Sequence, residues 1–556
     1  MLDRRTLLTS AAAMAGVAAL GANQSARADV VVTLASHIEV TRFIDGDTVE
    51  LLEGRKHQVV KRGERFGDYT LMEILGGETT LAVLENFTAR DGRILVVDKS
   101  GPRHDLSKTL EATAIDYGRD VLGHSQAEIE AAPGDMLARQ ILSQPGDPRF
   151  DDIATALQPI HSIQGGVYSF VGTPGRPDTV AFAYGGRSSG FDPAVYQPSI
   201  AAVIAAGKVW DGLVGGYLPV LRFVYPDDNG DWTELVAFAP FSEDSGPLPV
   251  WYRLSRIEGG QRVWSKHIDS RLPNVISEGD DLKRFYADLI GMKVGWDRIL
   301  AAGMKVDVPD TRMADQARHG VVRLLMGAAA DTGTAALQAW GMAPGAIAKA
   351  APATGGRAVL GLPQTDSGEI AGALSAAYGY GLVKGDAIRE ALLTTYSGMA
   401  HLHTRGTWLA PAARKPFADE ASAYDRDAQA FCPLMMRWLL AFEDPDAEVL
   451  WLGRGMPRAW FENEKIVLID DIPTRWGRVS FATDSDRKRE HRIAARVVFP
   501  AGGMAAETKL RLRSHDQAPI RSVMVNGKSW RQFDVASEVI VLPAGMKGEV
   551  LINARY

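Results

Sequence analysis

The apolar pattern of this chain changes period twice, and that limits the fold more than any single motif does. From about residue 163 to residue 266, apolar residues come in short alternating runs separated by turns such as Asp228-Asn-Gly-Asp and Glu258-Gly-Gly. From Asp281 the spacing becomes i, i+3, i+4, as in Leu282, Phe285, Tyr286, Leu289, Ile290 and Val294, and helical periodicity lasts to about Asp446. After Trp476 the alternation of strands returns. A chain with this order of periods is neither a pure helical bundle nor a single barrel. It predicts a multidomain α+β protein, and 556 residues are too many for one core.

The first strand-like runs lie between Val30 and Val97, bounded by turns at Gly76-Gly77 and Asp91-Gly92, and predict a small β domain over 29–104. A polar helical linker is expected over 105–160, where Ser125-Gln-Ala-Glu128 has the spacing of a capping box. Residues 161–280 predict an antiparallel β-sandwich, 281–446 a helical domain, and 447–556 a second antiparallel sandwich. In the last of these, Asn526-Gly527 between two apolar runs signals a tight hairpin. Pro309-Asp-Thr-Arg supplies an N-cap for a helix, and Asp366 or Ser367 is expected to cap another, with Glu369 in its first turn. Glu443, Asp444 and Asp446 are expected at a helix end.

The chain opens with Arg4-Arg5, an Ala-rich apolar run from Ala11 to Leu20, and Ala26-Arg-Ala28. Charged, apolar and small-x-small segments in that order predict a signal peptide over 1–28, and the paired arginines give it twin-arginine character. A bacterial periplasmic or secreted protein is therefore expected, with the Tat export machinery as a partner and no transmembrane span after residue 28. A single cysteine, Cys432, rules out an intrachain disulfide and sits in an apolar run that places it in the core. The net charge of −7 and pI near 5.9 lack the basic footprint of a nucleic-acid binder.

Between residues 385 and 473 the motifs are distinctive. A helical run from Asp386 leads into His401-Leu-His-Thr-Arg-Gly-Thr-Trp408, and Phe431-Cys-Pro-Leu-Met-Met-Arg-Trp-Leu-Leu-Ala-Phe442 forms an apolar helix. Trp451-Leu-Gly-Arg-Gly-Met-Pro-Arg-Ala-Trp460 and Ile472-Pro-Thr-Arg-Trp-Gly-Arg-Val-Ser-Phe481 follow. From about Pro309 to Tyr556 this series resembles the carboxy-terminal part of six-hairpin glycosidase-like proteins, which are (α/α)6-toroid enzymes flanked by β-sandwiches. The resemblance implies an α/α-hairpin, toroid-like central domain and a carbohydrate substrate. Residues 281–446 are too few for six complete hairpins, so it also implies a shortened helical layer.

Enzymes of that kind use two carboxyl groups, one to protonate the leaving oxygen and one to activate water or attack the anomeric carbon. The acids at loop–helix joints are the candidates: Glu420 and Asp425 in an irregular, Tyr-bearing loop, and Asp366 and Glu369 near a helix start. His401, His403, Arg405, Trp408 and Tyr424 are candidate sugar contacts. His401-x-His403 supplies only half of a metal site, and no third ligand is marked, although His319 is a histidine of the same region. No cofactor fingerprint is present, neither a Walker motif nor a dinucleotide motif. The expected activity is glycoside hydrolysis; the alternatives are a non-catalytic glycan-binding or envelope protein, and a polysaccharide lyase with Tyr424, His403 and Arg405 as base and neutralising groups.

Overall fold

The structure is a computed structural model. It describes residues 120–556 apart from 161, 214–215, 242–245, 259–260, 273–275, 279–281, 328–330, 345–355 and 419, together with the backbone of the strands between Val31 and Ala112. The expected signal peptide lies outside the described residues. The fold mixes helix and sheet, with several antiparallel sheets.

Seven strands between Val31 and Asp98 form one sheet, antiparallel except for the pairing of Val31–Thr33 with Ile94–Asp98. One of them, His57–Phe66, escapes the sequence reading because His57-Gln-Val-Val-Lys-Arg-Gly-Glu-Arg-Phe66 is mostly charged and polar. A second seven-stranded sheet runs in the order 276–278, 261–269, 251–258, 232–238, 220–226, 210–213 and 110–112. All four long runs predicted from Leu218 to Lys266 lie in this sheet rather than being divided between two layers. Every residue of Trp232–Phe238 is buried, so both faces of that strand are covered. The helix α3 (Leu282–Leu300) covers one face through Phe285, Leu289, Met292 and Trp296. Tyr168, Val171, Phe182 and Phe191 pack on the other.

Before it, α1 (Gln126–Ala131) starts at the predicted capping box: the Ser125 side chain accepts from Glu128 N–H and the Glu128 carboxylate accepts from Ser125 N–H. It is followed by α2 (Met136–Ser143). After α3 come α4 (Thr311–Leu325), α5 (Asp331–Ala339), α6 (Gly372–Lys384), α7 (Ile388–His401) and α8 (Phe431–Leu440). Asp310 caps α4 as predicted, accepting from Met313 N–H at 3.0 Å. All ten residues of α8 are buried; nine are apolar, and the tenth, Arg437, is paired with Glu443. It packs on α4, α6 and α7.

Two expectations fail locally. α6 begins at Gly372 after Ala371, with no side-chain cap, because the chain first closes a turn in which Thr365 N–H donates to Glu369 O at 2.8 Å. Gly368, at φ +79°, makes that turn possible. Further on, α8 stops at Leu440 and Ala441–Glu443 is a strand, so Glu443 is no helix end. Its carboxylate instead pairs with Arg437 at 3.0 Å and Arg475 at 3.1 Å.

The tail forms a seven-stranded sheet that includes Lys305–Asp307 and a five-stranded sheet that begins at Ala441. Asn526 and Gly527 take φ +49° and +75° between the paired Val525 and Lys528, which is the predicted two-residue hairpin. Leu450, Leu510 and Ile540 of the smaller sheet, Val467, Phe481 and Ile493 of the larger, and α8 all belong to one hydrophobic core.

Candidate functional site

A cleft of about 400 Å³ opens where four segments that are distant in sequence meet. One wall is α1 and the start of α2. A second is the hairpin Ala358–Val359/Leu362–Pro363, a third is the turn at Gln364–Gly368, and the last is the loop Lys415–Ala418.

Asp135 fastens the first two walls together. Its Oδ1 caps α2 by accepting from Ala138 N–H at 2.9 Å. The same carboxylate accepts from Leu360 N–H at 3.0 Å and Gly361 N–H at 2.6 Å, the two turn residues of the hairpin. Leu360 and Gly361 stand at φ +55° and +75°, which points both N–H groups out of the turn and towards the carboxylate.

Arg414 fastens the other two. Its main chain pairs with Ile370 in both directions, at 2.8 and 2.9 Å. Its guanidinium, 1% exposed, donates to the carbonyls of Lys415, Pro416, Ala418, Gln158 and His401. A guanidinium has five N–H donors in a rigid fork, so it can hold several carbonyls of a tight loop at once. The loop that carries Lys415 and Phe417 is thereby fixed without regular secondary structure.

Facing the cleft are the side chains of Gln126, Glu130, Arg357, Gln364, Ser367, Lys415 and Phe417. Glu130 accepts from Gln126 Nε2 at 2.6 Å, and Arg357 donates to the main-chain oxygen of Glu130. Donors and acceptors thus share the lining with one half-buried aromatic residue.

Two of the four predicted carboxylates border this cleft. Asp366 is exposed at the tip of the turn, beside Ser367. Glu369 is one hydrogen bond behind the lining: its Oε2 accepts from Ser367 Oγ at 2.9 Å. Glu420 follows Ala418 by two positions, on a short strand paired in parallel with Ser162–Ile163; only its backbone is described. Asp425 is elsewhere. Its Oδ1 accepts from Asp427 N–H at 3.0 Å and caps the 3-10 turn Asp427–Ala430. Asp427 in turn accepts from Thr332 and Gly333 N–H at the start of α5.

The five predicted sugar contacts do not face the cleft. His401, 1% exposed, bonds through Nε2 to Ile153 O at 2.9 Å, and burial pushes its pKa down to about 3. His403, 3% exposed, bonds through Nδ1 to Gly398 O at 3.0 Å, and burial lowers it to about 4. Both rings are tied to the main chain and closed to solvent because residues 398–404 turn inward at the end of α7. Among the described residues no group of three His, Cys, Asp or Glu side chains could hold a metal ion. Arg405 donates to Ala154 O at 3.2 Å. Trp408, half-buried at φ +50°, meets the edge of His319 at 6.1 Å between ring centres. Tyr424 packs on Phe170 at 5.0 Å, and burial raises its hydroxyl pKa. Cys432 is buried, with its thiol pushed up by desolvation, which makes it an inert core residue.

Sequence reasoning missed Asp135, Arg357, Arg414 and Lys415. The only local signal was Gly134-Asp135 before an apolar run, an N-cap pattern. Nothing local marked the other three. Asp315, on α4, was also missed; burial raises its carboxyl to about 6, with Arg318 opposing at 3.0 Å.

No helix among the described residues is long and apolar enough to cross a membrane. No protein-family model matches the chain, and no curated protein matches it. Among solved structures it is similar to a GH127 β-arabinofuranosidase, at 14% identity and a TM-score of 0.21, covering 35% of this chain and 33% of that one. The chain therefore matches only about a third of that structure's length.

Proposed function

We propose that this chain is an exported, carbohydrate-active protein and that it acts as a glycoside hydrolase at the cleft between α1, α2 and the Lys415–Ala418 loop. The helices from α4 to α8 then form a shortened α/α-hairpin layer, and the two C-terminal sheets an accessory sandwich. The observation that carries this reading is the lining of the cleft. Amide, hydroxyl, carboxylate and cationic groups line the same cleft of about 400 Å³ as Phe417. A polyhydroxylated ring needs both donors and acceptors, plus one apolar surface for its C–H face, and the volume is within the usual range for a ligand site.

The chemistry is assigned to Glu369, one hydrogen bond behind the cleft lining, and to Glu420, two positions after Ala418 in the chain. Glu369 and Glu420 are the proposed pair, one protonating the glycosidic oxygen and the other activating water or attacking carbon. Asp366 is at the rim, and Asp425 is committed to its 3-10 turn.

A second reading, glycan binding without cleavage, draws on a specific observation. The best-fixed acid of the cleft, Asp135, is engaged by three main-chain N–H groups and is built in as a strut.

The test is incubation of the protein with a panel of neutral and uronic polysaccharides, following new reducing ends and unsaturated-uronate absorbance together. Hydrolysis gives reducing ends alone, and Glu420→Gln or Glu369→Gln then lowers the rate by about 10² or more. Reducing ends with absorbance mean a lyase. Binding without either signal supports the second reading, and neither binding nor turnover on any glycan removes both.

A further inference from the structure

The cleft is asymmetric in charge in a way that its composition conceals. Two acids and two cations line it; both acids accept hydrogen bonds from neighbouring groups, while among the described residues neither cation is in an ion pair. Asp135 is spent on Ala138, Leu360 and Gly361, and Glu130 accepts from Gln126. Arg357 gives one of its five donors to the Glu130 carbonyl. Among the described residues no carboxylate lies within ion-pair distance of Arg357 or Lys415. Both are exposed, on separate walls of the same cleft, and each stands on fixed backbone. Arg357 precedes the hairpin that Asp135 pins, and Lys415 begins the loop that Arg414 clamps.

We propose that Arg357 and Lys415 form an anion subsite, so that the cleft selects an acidic saccharide, one bearing a carboxylate or a sulfate ester, over a neutral one. This inference rests on the saccharide reading given above. A planar guanidinium matches a carboxylate or sulfate edge with two parallel hydrogen bonds, while an ammonium adds a point charge from a second wall. Cations on two walls of one cleft recognise an anion on one sugar ring while leaving its hydroxyls to Gln126, Gln364 and Ser367. The net charge of −7 does not oppose this, because over more than a Debye length of ~8–10 Å the distant charges are screened.

The experiment is calorimetric titration of the full chain with three oligosaccharide sets of equal length: neutral, uronic and sulfated. The acidic sets are expected to bind at least tenfold more tightly than the neutral set, with an advantage that shrinks as salt is raised. Arg357→Gln and Lys415→Gln are each expected to erase most of that advantage, with the unfolding temperature unchanged and neutral binding lowered far less than acidic binding. Preference for the uronic set alone identifies the anion as carboxylate, and preference for the sulfated set alone identifies it as sulfate. Equal binding of neutral and acidic sets overturns the subsite but leaves the saccharide reading standing. An acidic preference that survives both substitutions also overturns it. Failure of all three sets to bind removes the saccharide reading itself.

Discussion

Arg323 Nε donates to His319 Nε2 at 2.8 Å, one turn apart on α4, and both side chains are buried. Because a guanidinium cannot accept, this bond assigns the proton of His319 to Nδ1, which faces Tyr217 O at 2.8 Å. Arg323 also donates to Phe170 O and Ser169 Oγ, joining α4 to the Ser169–Val171 strand. An imidazolium could not accept from Arg323. Desolvation first, and then the charge of Arg323, hold the His319 pKa well below its ordinary value.

The pH dependence follows from His319, His401 and His403 together. All three are buried and neutral, with folded pKa values below the unfolded value of 6.5, about 3 for His401 and about 4 for His403. Between those limits the unfolded chain binds protons that the folded chain refuses. Stability is therefore full above pH 6.5 and falls on acidification, by about 1.4 kcal/mol per pH unit for each proton. Asp315 acts in the opposite direction between 3.8 and about 6, since its folded form holds a proton more tightly. Asp310, whose carboxyl burial also raises, acts in the same direction as Asp315, and with three groups against two the denaturant midpoint is expected to drop from pH 7 to pH 4.5. A flat profile over that range would show that these imidazoles find water or partners in solution.

Glu234 bridges two buried guanidinium groups, Arg222 and Arg253 at 2.9 Å, all three less than 5% exposed on adjacent strands. Removing the shared anion leaves two buried cations facing each other. Glu234→Gln is expected to lower unfolding free energy by about 3–5 kcal/mol in denaturant titration. A loss below about 1 kcal/mol would mean that the sheet readily admits water there.

Gly320 sets how closely α4 approaches the start of α8. A Cβ at this position would be 2.7 Å from the Pro433 ring and 2.8 Å from Gln429 O, and neither the ring nor the backbone can swing aside. Gly320→Ala is expected to cost about 1–3 kcal/mol despite the better helix propensity of alanine. Unchanged thermal stability would contradict this packing.

Asp135 is the strut of the cleft. Asp135→Ala removes a cap worth about 1 kcal/mol and releases the Leu360 and Gly361 N–H groups. The expected result is a moderate fall in unfolding temperature together with a weaker affinity for acidic saccharides, because Arg357 loses its fixed base. Proteolysis at the 358–363 hairpin should become faster in the variant, and an unaltered cleavage pattern would argue against the strut role.

The sequence by itself determined the features set by neighbours within about four residues. The capping box at Ser125 and Glu128, the Asp310 cap, the Asn526-Gly527 hairpin and the largely apolar α8 each satisfy their own main chain or follow one local period. Asp366 and Ser367 carried the same kind of signal, but Gly368 closed a competing turn that denied them a helix to cap. Only the tertiary structure decided the cleft. Asp135 meets Leu360 across 225 positions, and Arg414 reaches Gln158 across 256. The Ala/Gly-rich stretch before Arg357 gave no pattern from which that arginine could be singled out. The same packing buried His401 and His403, whose polar sequence context suggested exposure. Local signals reflect bonds that a segment makes with itself. The walls of a cleft meet only when the summed burial of a shared core brings distant segments together, and no short window of sequence contains that sum.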